Sequence, residues 1–357
     1  MTNPIKQRLH YFDMMKGVAI FLVVMGHVIA MCVREIDRAP LFKFIEHIHM
    51  PLFFFISGWF TFKIGASGRI ACPALKNRAI RLLLPMLVVS SLWMWYFPHS
   101  GVQSPLNSTF SGLWGDTWKN GYWFTLVLFE IVLLYAAITP LLNLCRNAVA
   151  SILTTLCVCA ILLFCYNICP AAVAGYISLE LVAAFFPIFM FGVLAAKYRD
   201  GYMNAIHNSW LQTAAMLIFA VCLYMGCWPW EFNLSPITKL CIDSAGYICL
   251  ATFSLAVFER WSNTAYSPEA SNMARRAASL WEYLGKQSLG IYLLHYFFLF
   301  PMGDLFRPAL NAVNVSLVPM LLFTAFWAAC IVAVVLGIIK LIEPSKILSL
   351  LLTGNKA

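Results

Sequence analysis

The stretch "MMKGVAIFLVVMGHV", residues 14–28, is apolar enough to cross a membrane, yet it carries Lys16 near one end and His27 deep inside. The two lie eleven positions apart. At 3.6 residues per turn that is about three turns, so Lys16 and His27 share one helix face, roughly 16 Å apart along the axis. An ionisable group in hydrocarbon costs a few kcal/mol and by default faces a cavity or a partner. Lys16 at the cytoplasmic end can reach an anionic group, and something held there can send a long arm up the same face to His27.

The whole chain reads like this stretch. Of its 357 residues, 62% are hydrophobic and only 11% are charged, with a mean hydropathy of +0.80. A soluble domain is nearer half apolar and a quarter charged. The expectation is an all-α polytopic membrane protein. A net charge of +9 then marks cytoplasmic loops and lipid head groups rather than nucleic acid. Twelve cysteines fall mostly in apolar runs such as "LTTLCVCAILLFCYN", where cysteine acts as a small hydrophobe. No Cys-x-x-Cys pair and no finger-spaced histidine occurs, so no metal is expected. The first apolar run contains lysine and histidine with no small-residue cleavage site after it, unlike a signal peptide.

Ten spans of about 20 apolar residues are expected, near 14–33, 46–64, 79–98, 122–144, 149–168, 178–197, 210–228, 236–258, 287–304 and 316–341. They make one bundle covering residues 1–357, with a core of about 8–343. With both termini in the cytoplasm, eighteen of the 24 lysines and arginines lie inside and six outside, as the positive-inside rule asks. Asn107, Asn233 and Asn314 begin glycosylation-type triplets, which are common by chance.

Four ionisable residues stand inside spans: His27, Glu130, Asp243 and His295. From helix rise, His27, Glu130 and Asp243 lie about 9, 12 and 10 Å below the outer surface on three different helices. Any one of them can be structural, a histidine bonding a carbonyl or a carboxylate bridging helices. Three at one depth favour a site. "NRAIRLLLP" places Arg78 and Arg81 three apart, hence neighbours, at the cytoplasmic start of the third span. Two guanidinium forks suit phosphate, although R-x-x-R is also an ordinary basic flank. His49 beside Pro51 either helps place a substrate or merely starts a helix. His295, near the middle of its span, is a candidate substrate contact or a structural histidine. Ser57-Gly58 suits close helix packing.

Four motifs together resemble the acyltransferase 3 family of integral-membrane acyltransferases. They are "FDMMKGVAIFLVVMGH" with its (Arg/Lys)-x10-His pattern, "HMPLFFFISG" at 49–58, Arg78-x-x-Arg81, and "GYWFTLVLFE" with "LGKQSLGIYLLH". The opening is nearest the fucose 4-O-acetylase-like branch, and the resemblance runs from about Arg8 to the last span. It implies a stand-alone membrane member in the cell inner (cytoplasmic) membrane. That member would transfer an acyl group, most often acetyl, from acyl-CoA to hydroxyls of cell-envelope carbohydrates. By position it implies His27 as the essential histidine and Lys16, Arg78 and Arg81 as residues of the acetyl-CoA donor site. Lysine at position 16 offers a point charge where the family also uses a planar fork.

Joined to the residues, this predicts acetyl-CoA docking from the cytoplasm and His27 acting as general base or acyl-accepting residue. Glu130 or Asp243 would orient its second ring nitrogen, and His49 and His295 would lie on the acceptor side. Expected partners are acyl-CoA, a carbohydrate or lipid-linked acceptor and membrane lipids. The alternative is a proton-coupled secondary transporter, which buried carboxylates and histidines also suit. No paired broken helices mark the repeats such carriers use.

Overall fold

The structure is a computed structural model describing residues 9–32, 40–65, 72–100, 115, 117–227, 234–300 and 317–355. Asn107, Asn233, Asn314 and the end of the ninth expected span lie outside the described residues. Among those residues there are helices and no strand. The longer ones are α1 (His10–His27), α2 (Pro40–Gly65), α3 (Cys72–Ser100), α4 (Trp123–Leu144) and α5 (Ala148–Ile168). A short α6 (Ala171–Tyr176) leads into α7 (Leu179–Lys197), α8 (Arg199–Ile206), α9 (Ser209–Cys227) and α10 (Pro236–Ala265). Then come α11 (Asn272–Lys286), α12 (Ser288–Leu294), α13 (Leu317–Ile342) and α14 (Lys346–Thr353). Polar caps set several starts: Asn147, Ser235, Ser271 and Ser345 each accept a backbone N–H from the first turn of α5, α10, α11 and α14, satisfying donors that a helix leaves orphaned.

Eight of these helices, counted among the described residues, are long and apolar enough to cross a membrane. Two of the ten expected spans differ in kind. In α2 the 26-residue helix starts earlier than expected and carries Lys43, Glu46, His47 and His49 in its first half, which lowers its hydropathy. Pro51 therefore lies inside α2, not in a first turn, and His49 is mid-helix. The ninth expected span holds only the short apolar helix Ser288–Phe298, whose regular α-turns stop at Leu294 and tighten into a 3-10 turn over His295–Phe298.

Helix α1 lies at the centre, packed on α2, α10, α11 and α13, while α2 packs on α7. Small residues allow the tightest crossings. A Cβ at Gly58 would strike the Phe189 carbonyl, and one at Gly192 would strike the Phe55 carbonyl. The backbones of α2 and α7 therefore touch, as small-residue membrane interfaces permit. Gly192→Val should force them apart and cost about 1–3 kcal/mol. The expected outcome is a lower Tm in detergent, and an unchanged Tm would contradict this crossing. Helices α5 and α9 stand at the rim with exposed apolar faces, as lipid contact requires.

At the foot of α1, α11 is locked by Glu282. This buried carboxylate accepts from Tyr266 at 2.7 Å, from His10 Nδ1 at 2.9 Å, and pairs with Lys286. Burial pushes its carboxyl upward, but the hydrogen bonds from Lys286, Tyr266 and His10 outweigh that and hold it down at about 2. The seat of α11 on α1 is thus a charged one.

Candidate active site

The last residue of α1 is His27, and the chain passes directly into a five-residue π-helical turn, Val28–Cys32. Such turns are rare and gather at functional sites. His27 Nδ1 lies 3.0 Å from His295 Nε2, and His27 Nε2 lies 3.1 Å from the Tyr296 hydroxyl. The surrounding network assigns the ring protons. His295 Nδ1 faces the Ile291 carbonyl at 3.0 Å, and a ring nitrogen on a carbonyl must donate. His295 Nε2 then carries a lone pair, so His27 Nδ1 donates to it. That leaves the His27 Nε2 lone pair directed at Tyr296. Fully buried His295 is therefore the side chain that orients His27, whose ring also bonds the Val23 backbone.

Tyr296 has one proton and two neighbours able to take it, His27 Nε2 and the Gly121 carbonyl at 2.9 Å. The same carbonyl accepts from Tyr292 at 2.8 Å, and the Tyr292 oxygen accepts from the Phe124 N–H at 3.2 Å. Gly121 has a φ of +86°, and a Cβ there would lie 2.5 Å from the Tyr296 oxygen. Glycine is thus required twice over, by conformation and by the close approach of the phenol. The turn containing it, Lys119–Gly121, is pinned by fully buried Lys119, which donates to the Gly175 and Tyr176 carbonyls at 2.6 and 3.1 Å.

The two expected orienting carboxylates are placed elsewhere. Asp243 on α10 pairs with Lys239 at 2.5 Å, and its Oδ1 is 3.8 Å from His47. Glu130 on α4 has Lys119 as its charged neighbour. The His27 nitrogen expected to meet a carboxylate meets His295 instead. His49 donates to the Ile45 carbonyl at 2.6 Å and lies near enough to His27 for their charges to interact. Gly121 and Tyr292 lie inside the motifs "GYWFTLVLFE" and "LGKQSLGIYLLH", but no role was read for them there, and Tyr296 and His47 carried no distinguishing signal in the sequence. The one available hint was that Tyr296 directly follows a histidine inside an apolar run.

A cavity of about 130 Å³ runs beside α1. Lys16, Ile20 and Val23 line it from α1, Ser288 and Leu289 from the start of α12, and Phe124 and Tyr292 from around the tyrosine network. The spacings 16, 20, 23 and 27 keep to one helix face. Lys16 forms an ion pair with Asp13 at 2.7 Å. Arg78 donates to Thr61 Oγ1 at 2.7 Å, and Thr61 in turn donates to the carbonyl of Ser57, a further lining residue. Arg81 Nε donates to the Gly354 carbonyl at 3.2 Å, and its neighbour Leu82 lines the cavity. Among the described residues Lys16 is thus the one cation in the lining of this mostly apolar cavity; Arg78 and Arg81 approach it through Thr61–Ser57 and Leu82, and His27 lies one turn beyond lining Val23 on the same face of α1.

Residues 9–341 match the family model described as an acyltransferase domain. Among curated proteins the chain is similar to Nodulation protein NolL of Sinorhizobium fredii, 30% identical over 228 residues, which is 59% of this chain and 56% of that protein. It is also similar to Nodulation protein NolL of Mesorhizobium japonicum, 33% identical over 138 residues, 36% of this chain and 35% of that protein. The matches thus span about half the length of the first relative and about a third of the second. No solved structure matches the chain.

Proposed function

Because the chain belongs to the acyltransferase domain family, we propose that it moves an acetyl group from cytoplasmic acetyl-CoA to a hydroxyl of a cell-envelope carbohydrate, as an O-acetyltransferase of the inner membrane. The observation that carries this reading is the His27 Nε2 lone pair, oriented through His295 on the same helix face as Lys16, Ile20 and Val23, which line a cavity. The phosphates of the donor would meet Lys16, Arg78 and Arg81, and the pantetheine arm would follow Ile20 and Val23. This spans the roughly 16 Å that helix rise sets between Lys16 and His27.

The acceptor hydroxyl would take the place of the Tyr296 phenol on His27 Nε2 and hand it a proton as its oxygen attacks the thioester carbon. Tyr296, already able to donate in two directions, can point its O–H at the developing oxyanion. Collapse breaks the C–S bond, and the imidazolium returns its proton to the leaving thiolate. His295 serves throughout by holding the His27 ring in the tautomer that keeps Nε2 basic.

Purified protein in lipid nanodiscs, given radiolabelled acetyl-CoA and isolated envelope glycans, should form base-labile labelled ester. Absence of label in the glycan, with no acetyl difference between envelopes of cells with and without the protein, would refute the reading. Arg78→Ala and Arg81→Ala should each raise the KM for acetyl-CoA about tenfold or more, since a hydrogen bond to a charged group contributes about 1.5–3 kcal/mol. Unchanged KM values would remove these residues from the donor site.

A further inference from the structure

We infer that α14 and the turn after it form one wall of the donor site, with Gly354 positioning Arg81; this rests on the acetyl-CoA reading above. The segment lies beyond the residues matched by the family model, which end at 341. Helix α14 packs on α3, α12 and α13. Its end enters between the two elements that frame the Lys16 end of the cavity, α3 with Leu82 and the start of α12 with Ser288 and Leu289.

Three contacts fix it there. Arg81 Nε donates to the Gly354 carbonyl at 3.2 Å. A Cβ at Gly354 would strike the Arg81 carbonyl and lie 2.9 Å from cavity-lining Leu289. Asn355 donates to the Gln287 side chain at 3.4 Å, immediately before Ser288. Gly354 closes α14 in the left-handed conformation, φ +69°, where glycine is the usual residue. Position 354 therefore combines a conformation and a backbone approach that a side chain disturbs together.

The consequence for Arg81 is chemical. A guanidinium has five N–H donors in a fixed plane. Committing Nε to the Gly354 carbonyl restrains that plane and keeps this carbonyl from engaging the two terminal nitrogens, whose fork is the geometry that grips phosphate, on a side chain that is exposed. An arginine held this way meets the donor with less ordering left to do, which improves affinity without touching the reacting atoms. Gly354 is thus a positioning residue, and its effect belongs to donor binding.

The experiment is a double-mutant cycle on the full-length protein in nanodiscs, with acetyl-CoA as the varied substrate. Gly354→Ala should raise the KM for acetyl-CoA about three- to tenfold and leave kcat within twofold. In an Arg81→Ala background the same change should add nothing, because the residue it acts through is gone. A purely structural role would lower the amount of active protein without moving KM, or act equally in both backgrounds. Either result overturns the inference, as does an unchanged KM in Gly354→Ala. Should Gly354→Ala be polydisperse in detergent, Asn355→Ala loosens the same turn more gently and should show a smaller KM rise with the same dependence on Arg81; a flat KM there overturns the inference too. Absence of any acetyl-CoA turnover by the wild type would overturn the proposed function itself, and this inference with it. Normal wild-type turnover with flat KM values in the variants would overturn this inference alone.

Discussion

His27→Ala should reach the membrane in normal amount, fold with a modestly lowered detergent Tm and lose about 10²–10⁴-fold in kcat, the usual contribution of a positioned general base. The loss should fall on kcat rather than on the KM for acetyl-CoA, because the cations expected to hold the donor lie three turns away. The stability cost should be about 1–3 kcal/mol, since Val23 to Gly26 keep their buried packing while buried His295 and Tyr296 each lose a hydrogen-bond partner. The check is steady-state kinetics on purified, monodisperse protein. Transfer at the wild-type rate would remove His27 from the chemistry.

His295→Ala should be nearly as damaging, with a fall in kcat of about 10²-fold or more. In serine hydrolases the group behind the histidine contributes up to about 10⁴ when its loss leaves the wrong tautomer. Here that group is an imidazole whose own proton is committed to the Ile291 carbonyl. His295→Gln can still present an oxygen to His27 Nδ1 and should retain most of the activity. This rescue separates orientation from bulk, because a void would be felt in Tm and an incorrect tautomer only in kcat. Glu130→Gln and Asp243→Asn should leave kcat near wild type, since neither carboxylate is the partner of the oriented nitrogen. If one of them costs more than His295→Ala, the orienting role belongs to the carboxylate.

Some of the candidate site's geometry was legible before any coordinates. Composition alone requires a membrane bundle, and helix geometry alone puts Lys16 and His27 on one face. Both rest on local rules, 1.5 Å and 100° per residue, that the surroundings seldom alter. The adjacency of Arg78 and Arg81 is local in the same sense. What each arginine holds is not, since Thr61 and Gly354 come from other helices.

The identity of His27's partner was the main thing that could not be read. Depth estimates placed Glu130 and Asp243 level with His27, and depth is a single coordinate. Which face of α4 or α10 turns toward α1 depends on helix packing, and that follows from small-residue contacts such as Gly58 with Gly192 summed over the bundle. Likewise, nothing in "SLGIYLLHYFF" announces that the α-turns end at Leu294. There the tyrosine hydroxyls find the Gly121 carbonyl, 171 and 175 residues away in the chain.

By itself, then, the sequence determined the membrane bundle, the shared face of Lys16 and His27 and the basic pair at its foot, because these follow from periodicity within single helices. Only the tertiary structure decided that His295 rather than a carboxylate meets His27 Nδ1, that the Tyr296 hydroxyl sits on its Nε2, and that the Gly354 carbonyl holds Arg81. Those pairings join residues up to 273 positions apart, and hydrogen bonds between helices are fixed by how the helices rotate and cross, which no local pattern encodes.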